Sequence, residues 1–366
     1  VIMANFDTSG LALAAVCPSN KMILDDKGMP GFYVQVGAQK LSALLTGGDD
    51  TVHPAFRVSG VEKPYIYIGK YQGVEDNGRI YSLPGVNPKV SITHDQYIDR
   101  CQAKGPGHHC ITAAERAFLA LWCRKNGTMP KGNNNYGKDS SEALYTAIPA
   151  AYDADGRIAR LLTGTGPLSW RHNGALDGIC DLNGNIWEWA LGIRLVHGEL
   201  QVIPWNNAAD PDVDMSATSA QWQAIKASAS SWEDLFIPPK GQGTTTGSVK
   251  LDYVSEHWQW ATTITSQEDS IRNAVFYLTT ASGLSPAAKL FLQTMALLPE
   301  DGQEGDTYGG DYLYANNAAE SRYAYCGGGW NNGSGAGVFA VNFGYDRSYS
   351  YSNVGGRPAY AELAAE

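Results

Sequence analysis

Cysteine chemistry is the first possibility to weigh, because a thiolate pair can bind copper or do redox work. The chain has six cysteines, Cys17, Cys101, Cys110, Cys123, Cys180 and Cys326, with no CxxC spacing. They read as buried thiols with at most one disulfide. His108-His109-Cys110 offers metal-ligand types, but no second cluster stands at the usual spacing, so it reads as a loop entering a helix. Gly241–Ser248 is Gly- and Thr-rich but lacks the phosphate-loop lysine, so it reads as a flexible loop. Asp49-Asp50 and Glu300-Asp301 sit beside glycine and read as solvated turn residues. Trp258-Gln259-Trp260 has the shape to stack on a sugar, and burial is the commoner fate of such indoles. No Ser-His-Asp arrangement is supported. Two patterns remain. Asp181-Leu182-Asn183-Gly184-Asn185-Ile186-Trp187-Glu188-Trp189 is a polar turn entering a strand, with both indoles on one face. Tyr349, Tyr351 and Asn353 alternate, so in a strand they project together.

The composition narrows the partners. With 27 Lys+Arg against 37 Asp+Glu the net charge is −10, which argues against nucleic acid or an anionic membrane surface. Charged residues at 17% and hydrophobic ones at 43% argue against disorder. No apolar run is long enough to span a bilayer, so no membrane insertion is expected. Val1–Ser19 has a short apolar stretch, Leu11–Val16, no basic start and an acidic Asp7, and it does not read as a signal peptide.

Several elements must position these residues. Phe32–Val36 and Pro64–Tyr71 have strand character, and Gly47–Asp50 reads as a turn. Thr93–Gln96 and Thr112–Glu115 are capping boxes. The first opens a helix stopped at Gly105, and the second a helix with Ala114, Phe118, Leu121 and Trp122 on one face, ended by Asn126-Gly127. Residues 128–176 carry few regular signals. Ala220–Ala227 looks helical, and Ser285-Pro286 starts a helix running to Leu297. Residues 1–52 read as a separate lead segment, 196–310 as an insertion, and 321–360 as a tail dense in Gly, Asn, Ser and Tyr.

The Gly184-Asn185-Ile186-Trp187-Glu188-Trp189 element, Cys326-Gly327-Gly328-Gly329-Trp330 and Gly355-Gly356-Arg357-Pro358 together resemble the formylglycine-generating-enzyme family. Its hallmarks are a GNVWEW strand, an RGGSW strand and a terminal GFR. Thr112–Trp122 is similar to its T-x-A-E-W helix, with Arg116 in the place of Trp. The likeness covers about residues 53–195 and 310–360. It implies an α+β, C-type-lectin-like fold of the formylglycine-generating subtype over residues 53–366, with the long insertion. Oxidation in that family needs a cysteine pair after the GGSW strand, and no cysteine lies between Trp330 and Glu366. The same resemblance implies a structural Ca²⁺ at Asp181, Gly184, Ile186 and Glu188. From the residues alone, Asp181 caps a turn and Glu188 pairs with an arginine.

The stretch Trp330–Arg357 resembles the variable region of diversity-generating-retroelement proteins, whose template is close to WNNGSNAGVF-x-x-N-x-NNxRSNSNxNIGxRPA. The retroelement rewrites template adenines, so Asn codons scatter. Gly335, Gly344, Tyr345, Tyr349 and Tyr351 stand where the template has Asn. Asn331, Asn342 and Asn353 remain Asn, and Ala340 and Asp346 complete the expected ligand-binding set. Phe339, Phe343, Arg347, Ser348 and Ser350 keep the framework. Gly127–Gly137 and Ala103–Gly107 are similar to segments of phage members of the group. The resemblance implies a variable region over about 326–357 and a protein or glycan receptor as partner. It implies the virion tail as location, with a cell surface as the alternative, and no catalysis. Tyrosine suits such a site, giving wide contact at low entropy cost. Phage relatives form trimers. No stretch here reads as a trimer seam, though an acidic surface does not forbid a homo-oligomer. Two other readings stand behind this one. The first is an oxidase relative with an altered centre. The second is a calcium-dependent lectin, which lacks here the Glu-Pro-Asn or Gln-Pro-Asp sugar motif.

Overall fold

Thr93 and Thr112 each accept a hydrogen bond from the N–H three residues on, and the Gln96 and Glu115 side chains accept one in turn from the N–H of the capping residue. Both boxes start helices as expected, and Gly127 at φ +65° releases the chain after the second. The computed structural model describes residues 5–302 and 305–363. In chain order come α1 (Asn5–Val16), β1 (Asn20–Leu24), β2 (Pro30–Gly37), β3 (Tyr65–Gly69), α2 (His94–Gln102), β4 (His108–Cys110) and α3 (Ala113–Lys125). The long β5 (Trp187–Val196) follows, then β6 (Glu199–Val202), β7 (Lys250–Val254), β8 (His257–Ala261), β9 (Arg272–Val275) and α4 (Pro286–Thr294). The chain closes with β10 (Tyr312–Ala315), β11 (Arg322–Cys326), β12 (Val341–Phe343), β13 (Val354–Gly355) and β14 (Pro358–Tyr360).

The result is a mixed α+β chain, mostly sheet. One sheet has the order β1-β2-β3-β14-β4. A larger one runs β9-β10-β12-β11-β5-β6-β7-β8, with β13 parallel to β5. All ten residues of β5 are buried, because strands flank it on both edges and α3 lies against it. Residues 20–37 belong to the smaller sheet, where Val34 pairs with Ile68. This joins the expected lead segment to the body of the chain. The stretch 196–310 likewise supplies β6 to β9 of the larger sheet.

Some local expectations need correction. Residues 223–225 form a strand, not a helix, because Ala224 pairs with Gln201 on one side and Ile237 on the other. Those pairings override the helix preference of alanine. The helix from Ser285 stops at Thr294, short of Leu297, and Ala296 takes a positive φ. His108–Cys110 is a strand beside β14, and the His109 ring bonds Gly107 O and Glu115 Oε1. The Gly241–Ser248 loop is tied down, with Thr245 and Ser248 donating to the buried Glu199 carboxylate. Glu300 is buried in an ion pair with Arg124, so it is no solvated turn residue. Trp258 and Trp260 are buried as expected, their indole N–H groups donating to Leu313 O and Leu297 O.

Candidate binding surface

Trp187 and Trp189 do share one face of β5, since each meets the Tyr325 ring edge-on, at 5.0 and 5.3 Å between centroids. From Tyr325 a run of rings reaches the surface. Tyr345 and Tyr349 lie within 6.3 Å of Tyr325 and stack on each other at 3.6 Å and 4°. Tyr351 extends the stack at 6.1 Å from Tyr349 and is 57% exposed. On the other flank, Trp187 meets Tyr314 at 5.8 Å, and Tyr314 meets Tyr312 at 5.8 Å. Tyr325 and Trp187 are the buried base, while Tyr312, Tyr314, Tyr345 and Tyr349 are half-buried. Burial, then the neighbouring Tyr345 phenol, holds the Tyr349 hydroxyl above the usual tyrosine range. The stack presents ring faces and phenol hydroxyls, which suit apolar contact combined with hydrogen bonding.

The backbone carrying Tyr345, Tyr349 and Tyr351 is loop, yet it is pinned at its framework positions. Arg347 Nε donates to both Asp95 oxygens at 2.8 Å, and the guanidinium lies 5.2 Å from the Tyr323 ring. Burial pushes the Asp95 carboxyl up, but hydrogen bonds from His94 and Arg347 outweigh it and bring it down to about 2. His94 N donates to Arg347 O, Ser91 N to Tyr351 O and Tyr323 N to Tyr345 O. Asp346 Oδ1 accepts from Ser348 N, closing a turn between Tyr345 and Tyr349. At the far end Trp187 N donates to Asn353 O. The start of α2 and its lead-in thus back the tyrosine loop.

The expected ligand-binding residues divide into two groups. Asn331, Tyr345, Asp346, Tyr349, Tyr351 and Asn353 are exposed or half-buried. Gly335, Ala340, Asn342 and Gly344 are buried beneath them. Asn342 Oδ1 accepts from Gly344 N at 2.7 Å, and a Cβ on Gly344 would lie 2.6 Å from Ile271 Cδ1. Gly335 packs under Tyr312 and Tyr314. Ala340 lines a cavity of ≈ 30 Å³ with Arg116, Cys326 and Val338. Tyr312, Tyr314 and Tyr325 were not expected at the surface cluster. Their signal was the strand-like alternation of Tyr312-Leu313-Tyr314 and Tyr323-Ala324-Tyr325.

The Asp181–Glu188 turn forms a second constellation. Asp181 and Asn185 take φ of +59° and +63°, and Gly184 +75°, which folds the carbonyls inward. The carbonyls of Asp181, Gly184 and Ile186 and Glu188 Oε1 converge, and the atom at their centre is Gln72 Nε2, at 3.0 to 3.3 Å from each. Glu188 is also bonded by Arg357, Nε to Oε2 at 3.0 Å and Nη2 to Oε1 at 2.8 Å. The Asp181 carboxylate points elsewhere and accepts from Gly164 N. A calcium ion needs roughly six or more oxygens at about 2.3–2.6 Å. As the side chains lie, the set does not fit one, because an amide nitrogen holds the centre.

All six cysteines are buried and unpaired with one another. Burial pushes the Cys326 thiol up to about 11, the opposite of an activated nucleophile. Among the described residues no helix is long and apolar enough to cross a membrane.

These features define an α+β, mostly-sheet protein with a pinned tyrosine cluster at its surface. No family model matches the chain, and neither does any curated protein sequence. Among solved structures it is similar to Treponema denticola variable protein 1, at 12% identity over 94% of this chain and 99% of that one, with a TM-score of 0.35. It is also similar to the M1 variant of Major Tropism Determinant, at 12% identity over 95% and 72% of the two chains and a TM-score of 0.31. The U1 variant gives 12% identity, 93% and 71% coverage and a TM-score of 0.30.

Proposed function

We propose that this chain is a ligand-binding protein that engages a protein or glycan receptor with the Tyr345–Tyr349–Tyr351 stack. Its scaffold is C-type-lectin-like, of the formylglycine-generating subtype, and residues 326–357 form a retroelement-diversified region. The observation that carries the reading is the outward tyrosine stack on a pinned loop; the expected variable residues Gly335, Ala340, Asn342 and Gly344 are buried beneath it, and the framework Ser348 and Ser350 are exposed beside it. Phe339 and Phe343, expected as framework, are buried, and Arg347 is pinned to Asp95. Tyr345, Tyr349 and Tyr351, expected to vary, sit on the pinned loop with their rings outward of Tyr325. Rigid backbone under rotamer-poor aromatic side chains is the economy antibody loops use. A receptor-binding role on a phage or prophage tail fits, and a cell surface is the alternative.

The reading includes no catalysis. Cys326, the thiol nearest the expected position, is buried with a raised pKa. Sequencing the 3′ end of the gene across a source population tests the proposal. Codon variation concentrated at 345, 349 and 351, with Trp330 and Arg347 constant, is the expected result. A tail that never varies would return the tyrosines to a purely structural role.

A further inference from the structure

Gln72 lies outside every motif of the sequence. Gln72 is fully buried, and its orientation is fixed by Asn185 Nδ2 donating to its Oε1 at 2.8 Å. That bond turns the Nε2 end toward the turn, 3.2 Å from Asp181 O, 3.3 Å from Gly184 O, 3.2 Å from Ile186 O and 3.0 Å from Glu188 Oε1. Arg357, also fully buried, closes the set from the other side, donating to Cys180 O, Asp181 O, Gly69 O and both Glu188 oxygens. Arg116 Nη1 stands 3.6 Å from Glu188 Oε2.

We propose that Gln72 and Arg357 together replace the divalent cation at this turn, so that the chain holds its Asp181–Glu188 turn without metal and takes no calcium there. Two physical points support it. A divalent ion gathers carbonyl oxygens because it supplies positive charge at one point, and an amide N–H₂ aimed by a second hydrogen bond supplies the same polarity in neutral form. The carboxylate of Glu188 already has its counter-charge in the bidentate Arg357 fork. A calcium ion entering here would have to expel a buried donor and crowd two guanidinium groups. The side chain at position 72 therefore decides whether the turn is metal-closed.

The test uses the full chain stripped with EDTA. Calorimetric titration with calcium chloride is expected to show no stoichiometric binding, and calcium at millimolar concentration is expected to leave the thermal midpoint unmoved. Stoichiometric binding, or a midpoint that rises with calcium, would overturn the proposal. Gln72→Met removes the donor at similar length and is expected to lower the midpoint by about 3 °C or more, with no recovery in calcium. A Gln72→Met chain that unfolds at the unaltered midpoint, or that calcium restores, overturns it too. Gln72→Glu places a second carboxylate among the three carbonyls, and its midpoint is expected to rise on adding calcium. A folded Gln72→Glu chain indifferent to calcium would show that position 72 does not decide the matter.

Discussion

Arg347 lies across Asp95 as a fork, Nε reaching both carboxylate oxygens, and so fastens the tyrosine loop to the first turn of α2. Lysine can keep the charge but not the two-pronged geometry. Arg347→Lys is therefore expected to loosen residues 345–351. Asp95 is about half exposed, so solvent screening limits the stability cost to roughly 1 kcal/mol. Hydrogen exchange should show faster amides at Tyr345 and Tyr349 with little change in β5. Unchanged exchange there would mean the ion pair does not hold the loop.

The aromatic run should separate cleanly into base and surface. Tyr325 is buried against Trp187 and Trp189, so Tyr325→Ala is expected to cost about 3–5 kcal/mol in denaturant unfolding. Tyr351 is largely exposed, and Tyr351→Ala should fall within about 0.5 kcal/mol of the parent. A receptor contact at Tyr351 should nonetheless cost about 2 kcal/mol in binding if it is an anchor. Equal stability losses at the two positions would contradict this division.

Buried positions in the tail should tolerate less variety than exposed ones. The cavity at Ala340 is ≈ 30 Å³, room for a methyl group or two. Ala340→Val should cost under about 1 kcal/mol, and Ala340→Trp about 3 kcal/mol or more. Gly344 has Ile271 and Asn342 against it and should accept no larger residue without movement of that neighbour. In a library randomised at 340, 344, 345, 349 and 351 and selected only for folding, the first two positions should return small residues. Free recovery of aromatic residues at 344 would contradict the packing.

Acid should weaken the fold through its buried histidines. Burial holds His53 and His172 down to about 4, and His108 to about 3. Each is neutral in the folded chain while the unfolded chain protonates near pH 6.5. The unfolded state binds more protons between those values, so stability is full above about pH 6.5 and falls as pH drops toward 4. Asp181, its carboxyl pushed up to about 6 by burial, works the opposite way below that pH. Asp311, also raised by burial, opposes in the same way, and His94, also held down by burial, adds to the histidine side. The four histidines outweigh the two carboxyls, and urea midpoints should decline from pH 7 to pH 4. A flat profile would mean these rings are not buried in neutral form.

Local features were legible in the sequence where the chemistry is local. Both capping boxes, the strand at Tyr65–Gly69 and the paired indoles of β5 follow from spacing within a few residues. What was not legible depends on pairing at a distance. Residues 223–225 are strand because β6 and residues 236–237 flank them, and no short window contains that fact. Gln72 gave no signal, since its partners lie more than a hundred residues away. Tyr312 and Tyr314 joined the site only when β10 aligned parallel to β12. The buried status of Ala340 and Gly344 likewise comes from Ile271 and Arg116, contributed by other parts of the chain.

Strand β14 sits between β3 and β4, with Ala359 opposite both Ile68 and His109. It follows the tyrosine tail in the chain. During synthesis the two flanking strands are therefore made long before the one that bridges them, and that sheet stays open until the tail has been translated through. A reading-frame error anywhere in the tail removes the bridge, and one before Tyr345 removes the tyrosine loop with it. Closure of that sheet therefore requires a chain translated in frame through every tyrosine position.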